Sequence, residues 1–284
     1  MLGEIYVELV EVRNEIADIC GYGSYAEYAY ENSLAREYLP GQADKYIKGV
    51  KEFVTPVYLK YRRSAETAEY SISPMLPETV KETAGGIVDK MSKGLSKLFN
   101  EMSEKNLCSV NSSDTMYYGS YQTYLNDYDS PYIFVNGGGT GTDVLTTLHE
   151  FGHFASAYYN YGLTGSIDES EVASQALELL SSTYLDGIIE PSDAELIKTY
   201  ELFYILSSVN ECAAWTAFEN LAYSDDDLTL EECNEYYEKV CYEFGLIDDE
   251  GYGDDPRAWV LISHLTENPY YSICYSVSAN VAVQ

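Results

Sequence analysis

Thr147-Leu148-His149-Glu150-Phe151-Gly152-His153-Phe154 is the stretch whose reading decides the rest of the chain. It holds two histidines four residues apart with a glutamate beside the first. On a helix turning roughly 100° per residue, His153 comes back to about 40° from His149 and Glu150 lies at about 100°. All three then share one arc. The opposite arc carries Val144, Leu148, Phe151, Ala155 and Tyr158, which reads as a face for burial. Two neutral imidazoles one turn apart can grip a zinc ion, and the glutamate can take a proton from water that the metal activates. A pattern with two free positions also arises by chance, and a helical His-Glu pair is often only a solvated face. Two features favour the metal. The chain has three histidines and two are here, and Glu171 follows 22 residues after His149 as a third ligand at a workable distance.

Working upstream, Gly137-Gly138-Gly139-Thr140-Gly141-Thr142 resembles a phosphate loop, but no Gly-Lys-Ser/Thr follows. It reads as a turn, with Thr142 or Asp143 capping the motif helix. Free N–H groups at Gly138 and Gly139 are expected to touch substrate. Residues 108 to 136 are poor in helix formers, and Tyr117-Tyr118-Gly119-Ser120-Tyr121 and Tyr132-Ile133-Phe134-Val135 read as short strands. Pro131 suits the first position of an edge strand. Such an edge can add an extended peptide as a further strand or be a plain hairpin. Residues 5 to 19 form an amphipathic pattern, with Ile5, Leu9, Val12 and Ile16 at helical spacing. Ser24 can cap the next short helix. Longer helices are predicted from about 42 past 61, kinked at Pro56, and from about 80 to 102.

Downstream, Tyr161-Gly162-Leu163-Thr164-Gly165 is a break. A second helix starts near Asp168, with Glu171, Ser174, Gln175 and Glu178 on one face. An acid in a first helical turn usually only complements the dipole. Here the pair of histidines needs a third ligand, and Glu178 is placed to orient a histidine from behind. Helices are predicted over 191–222 and about 230–244. The acidic turns Asp225-Asp226-Asp227 and Asp248-Asp249-Glu250 lack the spacing of an EF-hand loop. The last histidine, His264, precedes Pro269-Tyr270-Tyr271 and Tyr275, and neutral donors of this kind can stabilise an oxyanion.

The chain has 284 residues, 46% of them hydrophobic, enough for a large core. A net charge of −31 argues against a nucleic-acid partner, because phosphate contacts need clustered Lys and Arg. No run of about twenty apolar residues suggests a membrane span. Met1-Leu2-Gly3-Glu4-Ile5 lacks the basic start of a signal peptide. The six cysteines are scattered with no C-x-x-C pair, so reduced thiols and a cytoplasmic location are expected.

Together, Ser130-Pro131-Tyr132-Ile133-Phe134-Val135-Asn136, His149-Glu150-Phe151-Gly152-His153, Glu171-Val172-Ala173-Ser174-Gln175, and His264 with Pro269-Tyr270-Tyr271 resemble the thimet oligopeptidase and oligoendopeptidase F family of zinc peptidases. The resemblance extends to Arg13-Asn14 and Gly21-Tyr22-Gly23-Ser24-Tyr25 near the start. It implies a mainly α, zincin-like catalytic domain with a small β element before the active-site helix. It also implies one zinc on His149, His153 and Glu171, with Glu150 as general base and later proton donor. His264 and Tyr271 would act on the substrate carbonyl, with Tyr270 and Tyr275 contacting substrate and Glu178 behind the metal. Ile273 breaks the family's tyrosine pattern, so which tyrosine acts stays open between Tyr270, Tyr271 and Tyr275. Short peptides are the implied substrates. The expected layout is a single catalytic region over 1–284: helices over 1–107, the β element and zinc-site helices over 108–187, and C-terminal helices with the His/Tyr segment over 188–284. The N-terminal half of the family fold is expected to be absent, and such a segment is a possible partner. The competing expectation is a fragment that binds zinc or peptide without efficient turnover.

Overall fold

In chain order the helices are α1 (Leu2–Cys20), α2 (Tyr25–Tyr28), α3 (Pro40–Gly49), α4 (Thr55–Ser71), α5 (Pro77–Met91), α6 (Lys93–Glu104), α7 (Asp143–Tyr159), α8 (Val172–Ser182), α9 (Pro191–Tyr223), α10 (Leu230–Glu243), α11 (Ser263–Glu267) and α12 (Ile273–Ala282). Three strands, β1 (Cys108–Asn111), β2 (Gly119–Leu125) and β3 (Ser130–Asn136), fall between α6 and α7. This computed structural model describes residues 1–117, 119–160, 165–248, 251, 253 and 255–284. The expected break at 161–164, the acidic turn at Asp249-Glu250 and the strand position of Tyr118 lie outside the described residues. The fold is mainly α with one small sheet, as the sequence predicts.

The local chemistry explains most boundaries. Gly21, at φ +84, ends α1 in the left-handed conformation that glycine adopts without a Cβ penalty. The Ser24 side chain accepts from the Glu27 N–H and starts α2. Thr229 and Glu232 form a reciprocal capping box at α10. Two predicted long helices are each divided. The first widens into a π-turn over Val50–Val54, just before Pro56 removes a backbone donor, instead of kinking at the proline. The second breaks at Ser92, an extended residue whose hydroxyl accepts from the Gly94 N–H and caps α6. Helical periodicity continues across both breaks, so the pattern alone conceals them.

The sheet order is β1-β3-β2, with β1 parallel and β2 antiparallel to β3. The strand starting Ser130-Pro131 is therefore central, not an edge. Pro131 pairs with Tyr124 near the end of that strand, where a missing donor costs little.

The chain divides into two compact units. One comprises 1–61, 166–168 and 206–277. Its interior is aromatic: Tyr6 packs against Phe218 and Trp259, and Phe218 meets Tyr237 edge to face. The other comprises 62–165, 169–205 and 278–284. Its core joins α5, α6 and α7 through Val80, Ile87, Phe99, Leu145, Leu148, Phe151 and Phe154, with Ile133 from β3 and Ile197 from α9. The motif helix is buried on most of its circumference, so the two-faced pattern understates it. Leu145, Gly152 and Phe154 are buried with the expected Val144, Leu148, Phe151 and Ala155, whereas Tyr158, expected in the core, is exposed.

Candidate metal centre

α7 and α8 pack so closely that a Cβ on Gly152 would sit 2.6 Å from Ser174 Cα and 2.9 Å from the Ala173 carbonyl oxygen. Only glycine fits where two backbones approach this closely. The contact brings Glu171, which immediately precedes α8, over the histidine face of α7. Its Oε2 lies 3.2 Å from His149 Nε2 and 3.0 Å from His153 Nε2. The Ser174 hydroxyl donates to the same oxygen at 2.9 Å and fixes its direction. On the far side of His149, Nδ1 is 2.8 Å from Glu178 Oε2. The structure thus gathers His149, His153, Glu171 and Glu178 in one place.

Three ligand atoms, one each from His149, His153 and Glu171, lie within 4.8 Å of one another. A tetrahedral zinc with bonds of about 2.1 Å would place its ligand atoms about 3.4 Å apart. The observed 3.0 and 3.2 Å fall short of this by a few tenths of an ångström, so the donor set fits zinc with little adjustment. The electrostatics agree. Burial alone would push the Glu171 carboxyl up, yet hydrogen bonds from His149 and His153 hold it well below the usual range. Burial alone would lower the His149 imidazole, but Glu178 and Glu171 hold it well above its ordinary value. The cluster is built to hold positive charge at one point.

Glu150 is buried beside this group, and its Oε2 has no protein partner. Burial pushes its carboxyl up to about 7, against the pull of His149 and His153. Glu201 of α9 lies fully buried one turn beyond Ile197, with both carboxyl oxygens unpartnered. Burial, then the charge of Glu178, pushes it well above the carboxylate range. Sequence reasoning missed Glu201 because glutamate on a helix is normally solvated. It passed over Gly152 as a free position of the motif, and Ser174 as merely sharing a face with Glu171.

The glycine loop differs from its expectation. The Asp143 carboxylate accepts from the Gly139 N–H at 2.8 Å and is also met by the Thr140 and Gly138 N–H groups. Gly139 therefore spends its donor inside the protein rather than offering it to a substrate. Thr142 occupies the cap position of α7 without a side-chain cap bond.

In the other unit, His264 stacks on Tyr271 with centroids 5.0 Å apart and planes 14° from parallel. Tyr275 closes the group, its hydroxyl 3.5 Å from His264 Nε2. All three rings are partly exposed. Tyr270, expected to contact substrate, is instead 1% exposed. It is enclosed by Tyr25, Tyr30 and Tyr223, and burial raises its hydroxyl pKa well above the ordinary value. It is an anchor, not a contact residue.

No family model and no curated protein matches the chain. Solved structures do. PZ peptidase A with an inhibitor matches with a TM-score of 0.87 at 23% identity, over 99% of this chain and 54% of that one. A provisionally assigned oligoendopeptidase F matches with a TM-score of 0.86 at 22% identity, again over 99% and 54%. Another provisionally assigned oligoendopeptidase F, from Bacillus anthracis strain Ames, matches with a TM-score of 0.80 at 19% identity, over 98% and 52%. The chain resembles these proteins in fold and spans about half their length. Among its described residues no helix is long and apolar enough to cross a membrane.

Proposed function

We propose that this chain carries the catalytic machinery of a zinc-dependent endopeptidase acting on internal bonds of short peptides. The observation that carries the proposal is the convergence of His149 and His153 on one Glu171 oxygen, with the unpartnered Glu150 carboxyl buried alongside. The likeness to solved peptidases supports the choice of peptide as substrate.

His149, His153 and Glu171 would hold the zinc. When bound, the zinc supplies a Lewis acid that polarises a carbonyl and lowers the pKa of water. Glu150 takes a proton from the attacking water and returns it to the leaving amine. Its Oε2, buried beside the histidines and without a protein partner, is the atom left to take that proton. Glu178 accepts from His149 Nδ1–H, which fixes the tautomer that leaves Nε2 free to ligate. Within the other unit, His264 and Tyr271 offer neutral donors of the kind that stabilise an oxyanion, with the Tyr275 hydroxyl beside His264 Nε2.

The test is a mixed pool of short peptides incubated with the zinc-loaded protein and read by mass spectrometry, with Glu150→Gln as control. Internal cleavage by the unaltered chain and none by the variant is expected. No cleavage by folded, zinc-loaded protein would instead favour a form that binds zinc or peptide without turnover. The half-length match to the solved chains makes that the one competing reading.

A further inference from the structure

The segment before α12 contains a residue in an unfavourable conformation. The Tyr271 N–H donates to the Asn268 carbonyl at 3.1 Å, closing a turn over Asn268-Pro269-Tyr270-Tyr271. Proline stands at the second position, and the third, Tyr270, has φ +64. These are the marks of a type II turn, whose third position calls for glycine because a Cβ is strained there. Here a bulky aromatic occupies it.

Such strain persists only where the surroundings over-determine it. At Tyr270 both backbone polar groups are held by buried ionisable side chains. Its N–H donates to Glu219 Oε1 at 2.7 Å, and its carbonyl accepts from Arg36 Nη1 at 2.9 Å. Arg36 is itself fixed, its Nε donating to the Asp168 carboxylate at 3.1 and 3.2 Å, with the guanidinium 4.6 Å from the Tyr30 ring centroid. The Arg36 side chain is 0% exposed, and Glu219 is 1% exposed. Neither is satisfied in full: Arg36 Nη2 and Glu219 Oε2 have no partner. Keeping two incompletely paired polar groups in an aromatic interior is costly, and what they secure is one peptide segment. That segment sends the Tyr270 ring into the interior, while its neighbour Tyr271 stacks on His264.

We propose that Glu219 and Arg36 are positioning residues that clamp Tyr270 from its two backbone sides, fixing the turn so that Tyr271 is presented against His264. The catalytic meaning of this clamp rests on the function proposed above for Tyr271 and His264. The clamp itself does not, and the two are separable by experiment.

The chain has only three histidines, so the ring protons of His264 are assignable by NMR from the His264→Gln variant. Stacking on Tyr271 shifts them, and Tyr271→Ala gives the unstacked reference. Glu219→Met removes the acceptor of the Tyr270 N–H. It is expected to move the His264 signals most of the way to that reference and to lower kcat on an oligopeptide tenfold or more. KM should change less than threefold, and zinc affinity should be unchanged. Glu219→Gln keeps the carbonyl acceptor and is expected to restore both the signals and kcat. Unshifted His264 signals in a folded Glu219→Met protein would overturn the clamp. If that variant fails to fold, hydrogen exchange in the unaltered chain decides. The Tyr270 amide should be protected as strongly as amides within α10, and fast exchange would overturn the proposal. A chain that cleaves no peptide yet shows the His264 shift and its loss in Glu219→Met would refute the peptidase reading while sustaining the clamp.

Discussion

Gly152→Ala is the sharpest single perturbation of the candidate metal centre. The added Cβ would begin 2.6 Å from Ser174 Cα, 2.9 Å from the Ala173 oxygen and 3.0 Å from Ser174 N. All three are backbone atoms, so no side chain can swing aside. Unbonded carbons rest about 3.5–4.0 Å apart, so α7 and α8 must separate by about 1 Å locally. Overpacking of this kind costs about 1–3 kcal/mol. Replacing glycine by alanine inside a helix returns about 1 kcal/mol. The net effect on the apo protein is therefore modest, a loss of at most about 2 kcal/mol by these two figures. The larger effect falls on Glu171, which precedes α8 by one residue and whose Oε2 is held by the hydroxyl of the same Ser174. Zinc ligands tolerate about 0.2 Å of error, so a displacement near 1 Å should weaken zinc at least tenfold. The assay is competition against a chelator of known affinity, run beside thermal unfolding of the apo protein. If Gly152→Ala raised apo stability by the full helix-propensity gain and left zinc affinity unchanged, the close approach of α7 and α8 would be refuted.

Three further outcomes are expected. Glu178→Ala should weaken zinc about 10- to 100-fold, since it frees the His149 ring; an unchanged chelator competition would dismiss Glu178 as an orienting group. Glu219→Gln should alter the pH dependence of stability. Burial pushes the Glu219 carboxyl up to about 8 in the folded chain, against about 4.3 when unfolded. The folded state then binds more protons between those values, and stability falls as pH rises from about 4.3 through about 8. Unfolding midpoints should show the unaltered chain losing ground to the glutamine variant across that window, and parallel curves would count against a proton held there. Tyr271→Phe should lower kcat more than it changes KM, whereas Tyr270→Phe should leave kcat within a few-fold. The reverse order would return the catalytic role to Tyr270.

What the sequence made legible follows a physical rule. Helical spacing places His149, Glu150 and His153 where a single coordinate, rotation about the α7 axis, decides the geometry. The α9 and α10 starts at Pro191 and Leu230 fall where the sequence predicts them, and in the structure local chemistry sets each, a proline and a Thr-Glu capping box. Long-range facts were not legible. The tyrosine pair shows this: adjacent, chemically identical residues have opposite fates, because a turn with φ +64 sends one ring inward and leaves its neighbour against a histidine. Nothing local to Tyr270-Tyr271 encodes Glu219 or Arg36. The glycine loop failed for a related reason. Its N–H groups look free until Asp143, itself at the first position of α7, folds back to accept from them.

The acids least visible in the sequence are among the most deeply buried. Glutamate is a good helix former and usually a solvated one, so Glu201 and Glu219 pass unremarked in the pattern of α9. Yet both are almost fully buried, and each leaves at least one carboxyl oxygen without a partner. An ionised carboxylate in such a place is costly, and the group responds by keeping its proton. Burial raises both, Glu219 to about 8 and Glu201 well above the usual range. Their surroundings differ in what they offer. Glu219 gains a backbone donor and the fields of Arg36 and Arg13, which make it a fixed acceptor for Tyr270. Glu201, beyond its burial, feels the repulsion of Glu178 before any attraction from His149, and no donor meets either oxygen. The same residue type thus meets two different surroundings: Glu219 accepts a hydrogen bond from the Tyr270 backbone, whereas both Glu201 oxygens are left without a partner.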